Sequence, residues 1–150
     1  MDELTSQIRE SWQAGFFDGE GCITLPRHPS LIISVTNTNP DAISEYINDY
    51  PGYGISNIKG KPNGSPAYNV YWVNYHARYI LEALLPYLVL KKESARLALE
   101  FLAGWGQFIP LRIPSKGRCP RYSSAEIEYC DKYRRLIKEQ TNKNTYFAKF

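Results

Sequence analysis

QAGFFDGEG, at residues 13–21, is the stretch of the chain that says most about its fold. Gly15 and Gly19 lie one helical turn apart, so a helix here has a strip almost without side chains, where another backbone can approach closely. Asp18 and Glu20 fall where the helix must end, because the glycines around them terminate helices well. Two such helices in contact would gather carboxylates at one end of the contact. Carboxylate oxygens are the ligands that Mg²⁺ requires.

This segment resembles the signature of the LAGLIDADG homing endonucleases. Its Ala-Gly step, its apolar pair Phe16 and Phe17, and its two acid positions at Asp18 and Glu20 all match. Gln13 at the first position is a departure, and so is Glu20, which keeps an oxygen ligand on a longer arm. Without the resemblance, the same residues describe an amphipathic helix that ends in a glycine-rich turn with two solvated acids.

A second segment, LLPYLVLKK at residues 84–92, supports the resemblance. Pro86 interrupts an apolar helical pattern and predicts a break. A further helix is predicted from Lys91, since apolar residues recur beyond it at helical spacing. The segment resembles the lysine-bearing turn of the family. Alone, the segment would also suit two amphipathic helices joined at a proline kink, with two lysines in solvent. The presence of both segments, in the family's order and at its separation, favours the resemblance.

The composition is compatible with this interpretation but does not require it. The chain has 150 residues, which suits one domain with its own core. Its formal net charge is only +3, so electrostatics alone does not indicate nucleic acid. The cations are nevertheless clustered, at Arg112, Lys116, Arg118 and Arg121 and again at Lys59 and Lys61.

The cysteines and histidines indicate neither disulfides nor zinc. Cys22, Cys119 and Cys130 have no pairing or metal-ligand spacing, and His28 and His76 are isolated from them. No membrane span or signal peptide is evident. We therefore expect a soluble protein of a reducing compartment, either a bacterial or phage-infected cytoplasm or an organelle.

The hydrophobic periodicity predicts the order α-β-β-α-β-β-α-α. The predicted helices are 3–19, with Leu4, Ile8, Trp12 and Phe16 along one face, then 39–48, 76–85 and 91–103, and the predicted strands are 22–27, 31–38, 55–59 and 68–75. The fold class is α+β, with a curved four-stranded antiparallel sheet covered by helices on one face, as in the αββαββα fold of the family. Residues 1–103 are predicted to form the endonuclease core.

Residues 104–150 are predicted to add a basic loop and a C-terminal helix packed on the same domain. The loop, 104–122, is either a solvated connector or a segment whose basic side chains bind DNA phosphates. A capping box, Ser123 with Glu126, predicts the start of the last helix, and a frayed tail is expected from Thr141.

The uncovered face of the sheet is the predicted DNA-reading surface. A two-stranded ribbon fits the major groove, where hydroxyls and amides read base edges. An ordinary solvated face would explain each residue separately, and only the resemblance favours DNA. The predicted DNA-binding residues are Thr24, His28, Ser30, Ile32, Ser34, Thr36, Asn57, Lys59, Lys61, Asn69, Tyr71 and Arg118.

The resemblance implies roles for individual residues. Glu20 matches the metal-binding acid, with the carbonyl of Gly19 as a second ligand to Mg²⁺ or Mn²⁺. Lys91 matches the lysine that polarises water or stabilises the phosphorane, and Asn37 falls where a polar residue orders that water. Asp41 is an acid near a position where relatives use a basic helper.

The resemblance also implies an assembly. One motif in each chain implies a homodimer that cleaves double-stranded DNA at a roughly palindromic site, by metal-assisted hydrolysis. Its predicted interface is formed by Ala14, Gly15, Asp18 and Gly19, with Asp18 capping the paired helices. Two alternatives remain: a maturase for intron RNA or a non-cleaving DNA-binding regulator on the same fold, and an unrelated α+β interaction domain.

Overall fold

The structure is a computed structural model that describes residues 2–26, 30–58, 64, 66–111, 113–115 and 118–147. For residues 109–111, 113–115, 118–121 and 144–147 it describes the backbone alone. The elements are α1 Glu3–Glu20, β1 Gly21–Thr24, β2 Ile32–Asn37, α2 Pro40–Asp49, β3 Gly54–Ile58, β4 Ala67–Val73, α3 Tyr75–Leu84, α4 Lys92–Trp105, a 3₁₀ helix Gly106–Leu111, β5 Ile113–Ser115, β6 Arg118–Arg121 and α5 Ser124–Phe147. The predicted α+β class and the order of its first eight elements are confirmed.

Strands β1 to β4 form one antiparallel sheet in the order β1-β2-β4-β3. Alternate strand residues are fully buried on the face that the helices cover, as at Ile33, Val35, Val70 and Trp72. Their neighbours in sequence lie on the other face, which we call the open face. The predicted arrangement of helices on one side of a four-stranded sheet is therefore present.

The local signals at the helix ends act as expected. The carboxylate of Asp2 accepts a hydrogen bond from the Thr5 amide at 2.7 Å, and Asn39 caps α2 by accepting from the Asp41 amide at 2.9 Å. Gly21 ends α1, and a β-carbon there would lie 2.4 Å from the ring of Phe17. Only glycine fits this close approach, so α1 must give way to β1 at this residue.

Two predictions for the C-terminal part are wrong. Residues 104–122, predicted as a loop after a helix that ends at residue 103, contain regular structure, since α4 continues to Trp105 and a 3₁₀ helix and the β5–β6 hairpin follow. The ring of Trp105 stacks on that of Phe101 with their centroids 5.4 Å apart, and its centroid lies 6.2 Å from that of Tyr129 in α5. This aromatic packing stabilises regular structure beyond Gly104. The tail is not frayed from Thr141 either, because no glycine or proline follows to stop α5 before Phe147.

The row of apolar residues on α1 is also placed differently from an ordinary amphipathic helix. Its buried residues are Gln13, Ala14 and Phe17, whereas Leu4, Ile8 and Trp12 are 66%, 63% and 46% exposed. The helix thus presents apolar side chains outward, away from its own core. In the part of the chain that the structure describes, no helix is long and apolar enough to cross a membrane.

Candidate functional site

The C-terminal end of α1 is joined to the turn before α4, which we call the lysine turn (residues 85–91). The two carboxylate oxygens of Asp18 accept hydrogen bonds from the backbone amides of Val89 and Lys91, each at 2.8 Å. In return the Lys91 ammonium donates to the backbone carbonyl of Asp18. The two segments that the sequence singles out, more than seventy residues apart, are therefore locked together through Asp18.

Lys91 is half-buried in this contact and its charge is placed among acids. Burial lowers the pKa of Lys91 below its usual value, and the nearby Asp18, Cys22 and Glu20 act in the opposite direction. The C-terminal end of α1 also favours a cation, because the helix dipole is negative there. The fold thus sets one ammonium group within the electrostatic reach of the Glu20 carboxylate.

Glu20 is the last residue of α1 and its side chain is exposed. The carbonyl of Gly19 belongs to the last turn of the helix, where carbonyls have no partner within the helix. These are two hard oxygen donors side by side at one helix end. The described residues contain no cluster of three or more His, Cys, Asp or Glu side chains that would hold a metal by themselves.

This donor set suits a metal that is shared with other ligands. Mg²⁺ is commonly held by one or two carboxylates, with phosphate oxygens and water completing its octahedron. Glu20 and Gly19 would hold such an ion from the protein side, and they offer nothing that favours a softer metal.

Asn37 is the last residue of β2, at the same end of the sheet as Glu20. Gly21 pairs with Val35, so Asn37 lies two residues beyond the point where β1 begins. Its side-chain oxygen accepts a hydrogen bond from the Asn39 amide at 2.8 Å, which orients the amide group. Asp41 lies in the first turn of α2, where an acid suits the positive end of the helix dipole.

The open face carries neutral hydrogen-bonding side chains that are fixed across three strands. Asn69 on β4 accepts from the hydroxyl of Thr36 on β2 at 2.8 Å and donates to the hydroxyl of Ser56 on β3 at 3.1 Å. Tyr71 lies against Gly54, where a β-carbon would come within 2.3 Å of its ring. These groups are therefore held in place before any partner binds.

No protein-family model and no curated protein matches this chain. Solved structures do. The homing endonuclease I-CvuI in complex with the I-CreI target superposes with a TM-score of 0.57 at 18% identity, over 87% of this chain and 96% of that one. The chain has the LAGLIDADG homing endonuclease fold.

Two further structures with this fold support the assignment. I-CvuI in complex with its own target has a TM-score of 0.55 at 17% identity, over 87% of this chain and 96% of that one. An archaeal intron-encoded homing endonuclease, I-Vdi141I, complexed with DNA has a TM-score of 0.56 at 17% identity, over 85% of this chain and 97% of that one. The fold predicted from the two short motifs is therefore confirmed.

On this fold, the departure at Gln13 has a structural explanation that sequence analysis missed. The Gln13 side chain is fully buried. Its amide donates to the Asp49 carboxylate at 2.7 Å and to the Glu45 carbonyl at 3.1 Å, and it accepts from the Tyr50 hydroxyl at 2.9 Å. The glutamine thus ties α1 to α2. The only signal in the sequence was a polar residue where the motif has an apolar one.

We expect Gln13→Leu to lower the free energy of unfolding by about 1–3 kcal/mol, because it leaves the groups of Asp49 and Tyr50 without their buried partner. Chemical denaturation measures this. Gln7→Leu, at an exposed position of the same helix, is the matched control. Equal denaturation midpoints for the two variants would contradict the role assigned to Gln13.

The structure differs from the predicted DNA-reading surface in β3. Asn57 pairs with Tyr68 and so lies on the opposite face from Asn69, and Ser56 takes its place. The prediction that Asn57 lies on the open face is therefore wrong, because the register of β3 differs by one residue from the assumed one. The predicted residues Thr24, Ser30, Ile32, Ser34 and Thr36 keep the alternation expected for the open face. His28, Lys59, Lys61 and the side chain of Arg118 lie outside the described residues.

The structure contradicts the predicted dimer interface at one position, Ala14. Ala14 is fully buried in its own chain's core, so the prediction that it faces a partner is wrong. Gly15 and Gly19 are exposed, and a β-carbon at either would have no atom of this chain within 4 Å. Asp18 is engaged within its own chain by the lysine turn. We call the exposed surface of Gly15 and Gly19 the glycine strip.

Proposed function

We propose that this chain is a site-specific endonuclease that cleaves double-stranded DNA as a homodimer, using Mg²⁺ or Mn²⁺. The observation that carries the proposal is the lock between Asp18 and the lysine turn, which holds Lys91 close to Glu20. A fold kept for binding alone has no evident need for a half-buried ammonium beside an exposed carboxylate. The similar structures are homing endonucleases with DNA bound, which supports the same class of activity.

The homodimer is proposed from the outer surface of α1. The glycine strip lets a second helix approach closely. Nearer the N-terminus of α1, the exposed apolar side chains of Leu4, Ile8 and Trp12 add surface that a partner can bury. A two-fold axis that runs along α1 beside the strip would pair the two helices in parallel and bring Glu20 of both protomers to the same end of the pair. One such carboxylate for each strand of the duplex suits a double-strand break.

The substrate is proposed from the open face. Its fixed groups at Thr36, Asn69 and Ser56 are neutral donors and acceptors of the kind that read base edges in the major groove, and none of them carries the positive charge with which Lys and Arg side chains neutralise phosphates. A two-fold pair of such sheets would prefer a pseudo-palindromic duplex. We infer that the gene lies within an intron, in bacteria, phage or an organelle.

The proposed chemistry is hydrolysis of a phosphodiester. Glu20 and the Gly19 carbonyl would hold the metal ion, which when bound would supply Lewis-acid activation of water and of the phosphate. Lys91, restrained by the Asp18 carbonyl, sets a positive charge where negative charge builds up on the scissile phosphate. Asn37, with its amide oriented by Asn39, orders water at the same end of the sheet.

A selection experiment tests the proposal. The protein is incubated with plasmids that carry a randomised insert, with Mg²⁺ or with EDTA, and the ends of linear products are sequenced. We expect linear products with a pseudo-palindromic consensus in Mg²⁺ alone. Specific binding without cleavage would instead support a regulator, and binding to intron RNA alone would support a maturase.

We expect Lys91→Met to slow single-turnover cleavage by about 10²–10³-fold, because its charge acts mainly in the transition state. The dissociation constant for the cognate duplex should rise only a few-fold, the effect of one phosphate contact. Cleavage is timed with enzyme in excess, and binding is measured by fluorescence anisotropy.

Two variants serve as controls for Lys91→Met. Lys92→Met removes the same charge from the adjacent exposed residue and should keep the cleavage rate. Asn69→Ala should change which bases are accepted and cleave its preferred target at nearly the normal rate. If Lys91→Met lost affinity in step with rate, the catalytic role would be wrong.

A further inference from the structure

Arg134 of the C-terminal helix holds the chain at the end of the first strand. Its Nε donates to the backbone carbonyl of Leu25 at 2.9 Å, and one terminal nitrogen donates to that of Pro26 at 2.8 Å. The other terminal nitrogen pairs with the carboxylate of Asp131, one turn earlier on the same helix. The guanidinium thus forks between two successive carbonyls, and its planar set of donors holds both in a fixed geometry.

These carbonyls lie beyond the last pair that β1 forms with β2 among the residues that the structure describes. β1 is an edge strand of four residues, and its pairing with β2 ends at Thr24 with Ile32. Leu25 is buried beneath, and Pro26 has no amide hydrogen with which the backbone could be held. Just past the end of β1, the hydrogen bonds from Arg134 therefore hold the backbone in place of hydrogen bonds to a neighbouring strand.

Arg134 is not placed as a phosphate-binding cation. All three of its nitrogens are engaged within the chain, its charge is paired with Asp131, and its side chain is only 27% exposed. Its neighbour Arg135 is exposed on the same helix.

We propose that Arg134 is a positioning residue for DNA specificity: it fixes the far end of β1 and thereby the base pairs that Thr24 and Ile32 read. This inference rests on the proposed function. It assigns a task to the C-terminal helix, whose residues lie outside the two family motifs.

The structure also indicates which base pairs depend on Arg134. β1 starts at Gly21, next to Glu20, and Thr24 is three residues further along, or about 10 Å at ~3.3 Å per residue. This is about three base-pair steps of B-form DNA at ~3.4 Å each. The affected positions are therefore farther from the cleavage site than those next to Glu20.

The test compares the target preferences of four proteins: the wild type, Arg134→Met, Arg134→Lys and Arg135→Met. Each is used to select bound duplexes from a pool randomised over the whole site, and the selected pools are sequenced. For Arg134→Met we expect a preference reduced roughly fivefold or more at the outer positions, the scale of one base-pair discrimination, with inner positions unchanged. Arg134→Lys, which keeps the charge but lacks the fixed planar fork of donors, should be intermediate, and Arg135→Met should match the wild type.

A second measurement needs no DNA. Hydrogen exchange of the amides of Cys22, Ile23 and Thr24 should be faster in Arg134→Met than in Arg135→Met, and intermediate in Arg134→Lys. If Arg134→Met does not fold, the comparison of Arg134→Lys with Arg135→Met decides the matter on both measurements.

The outcomes separate the inference from the proposed function. A wild type that selects no consensus would overturn the proposed function. A wild-type consensus that Arg134→Met and Arg134→Lys retain in full, or that they lose uniformly at every position, would overturn the positioning role alone.

Discussion

Glu20→Gln is expected to abolish cleavage while specific DNA binding is nearly unchanged. The substitution is almost isosteric, and it removes one negative charge from the exposed end of α1. An amide oxygen is a much weaker ligand for a hard divalent cation than a carboxylate oxygen. The open face, with its network around Asn69, is untouched.

We expect the single-turnover rate of Glu20→Gln to fall by about 10³-fold or more in Mg²⁺. Its dissociation constant, measured on the same duplex, should stay within a few-fold of the wild type. Glu128→Gln, an exposed carboxylate on α5, is the matched control and should cleave normally. Cleavage by Glu20→Gln at a rate close to that of Glu128→Gln would show that the metal ligand has been wrongly assigned.

Gly15→Leu is expected to prevent dimerisation while the protomer stays folded. Within one chain, a β-carbon at Gly15 would have no atom within 4 Å, and Gly15 is exposed, so a larger side chain there can extend into solvent. Leucine also has a higher helix propensity than glycine, by nearly 1 kcal/mol. Against a second helix packed on the glycine strip, the branched side chain would separate the two backbones.

Sedimentation velocity measures the effect of Gly15→Leu, with thermal unfolding as a check on folding. We expect a monomer for this variant and a dimer for the wild type, and cleavage should be lost with the dimer. Gly106→Leu is the matched control, since Gly106 is exposed, has a right-handed helical backbone and also has open space around its β-carbon. A dimer for Gly15→Leu would show that the subunits meet elsewhere.

The two motif segments, residues 13–21 and 84–92, carry local signals for helix ends but none for the contact between them. The proline at position 86 and the glycines around Asp18 predicted where α3 and α1 end, and both predictions are confirmed. The contact between the segments could be expected only from the resemblance. No local pattern shows that the carboxylate of Asp18 accepts from the amides of Val89 and Lys91.

The register of β3 shows where periodicity stops being informative. From Ile55 to Ile58 every residue of this edge strand is exposed, so no alternation of buried and exposed side chains marks its faces. The pairing of Asn57 with Tyr68 is set by the antiparallel contact with β4, and not by a local signal in β3. In β2, where Ile33 and Val35 are buried, the face was predicted correctly.

The sequence by itself determined the order of the elements, the ends of most helices and the positions of the glycine strip and of Glu20. These depend on local signals: hydrophobic period, caps, prolines and glycines. Only the tertiary structure decided that Gln13 ties α1 to α2, that Ala14 faces the core, and that Arg134 holds the end of β1 from more than a hundred residues away. The physical reason is that a buried polar group takes whichever partner the packing brings to it, and that choice is made in space and not along the chain.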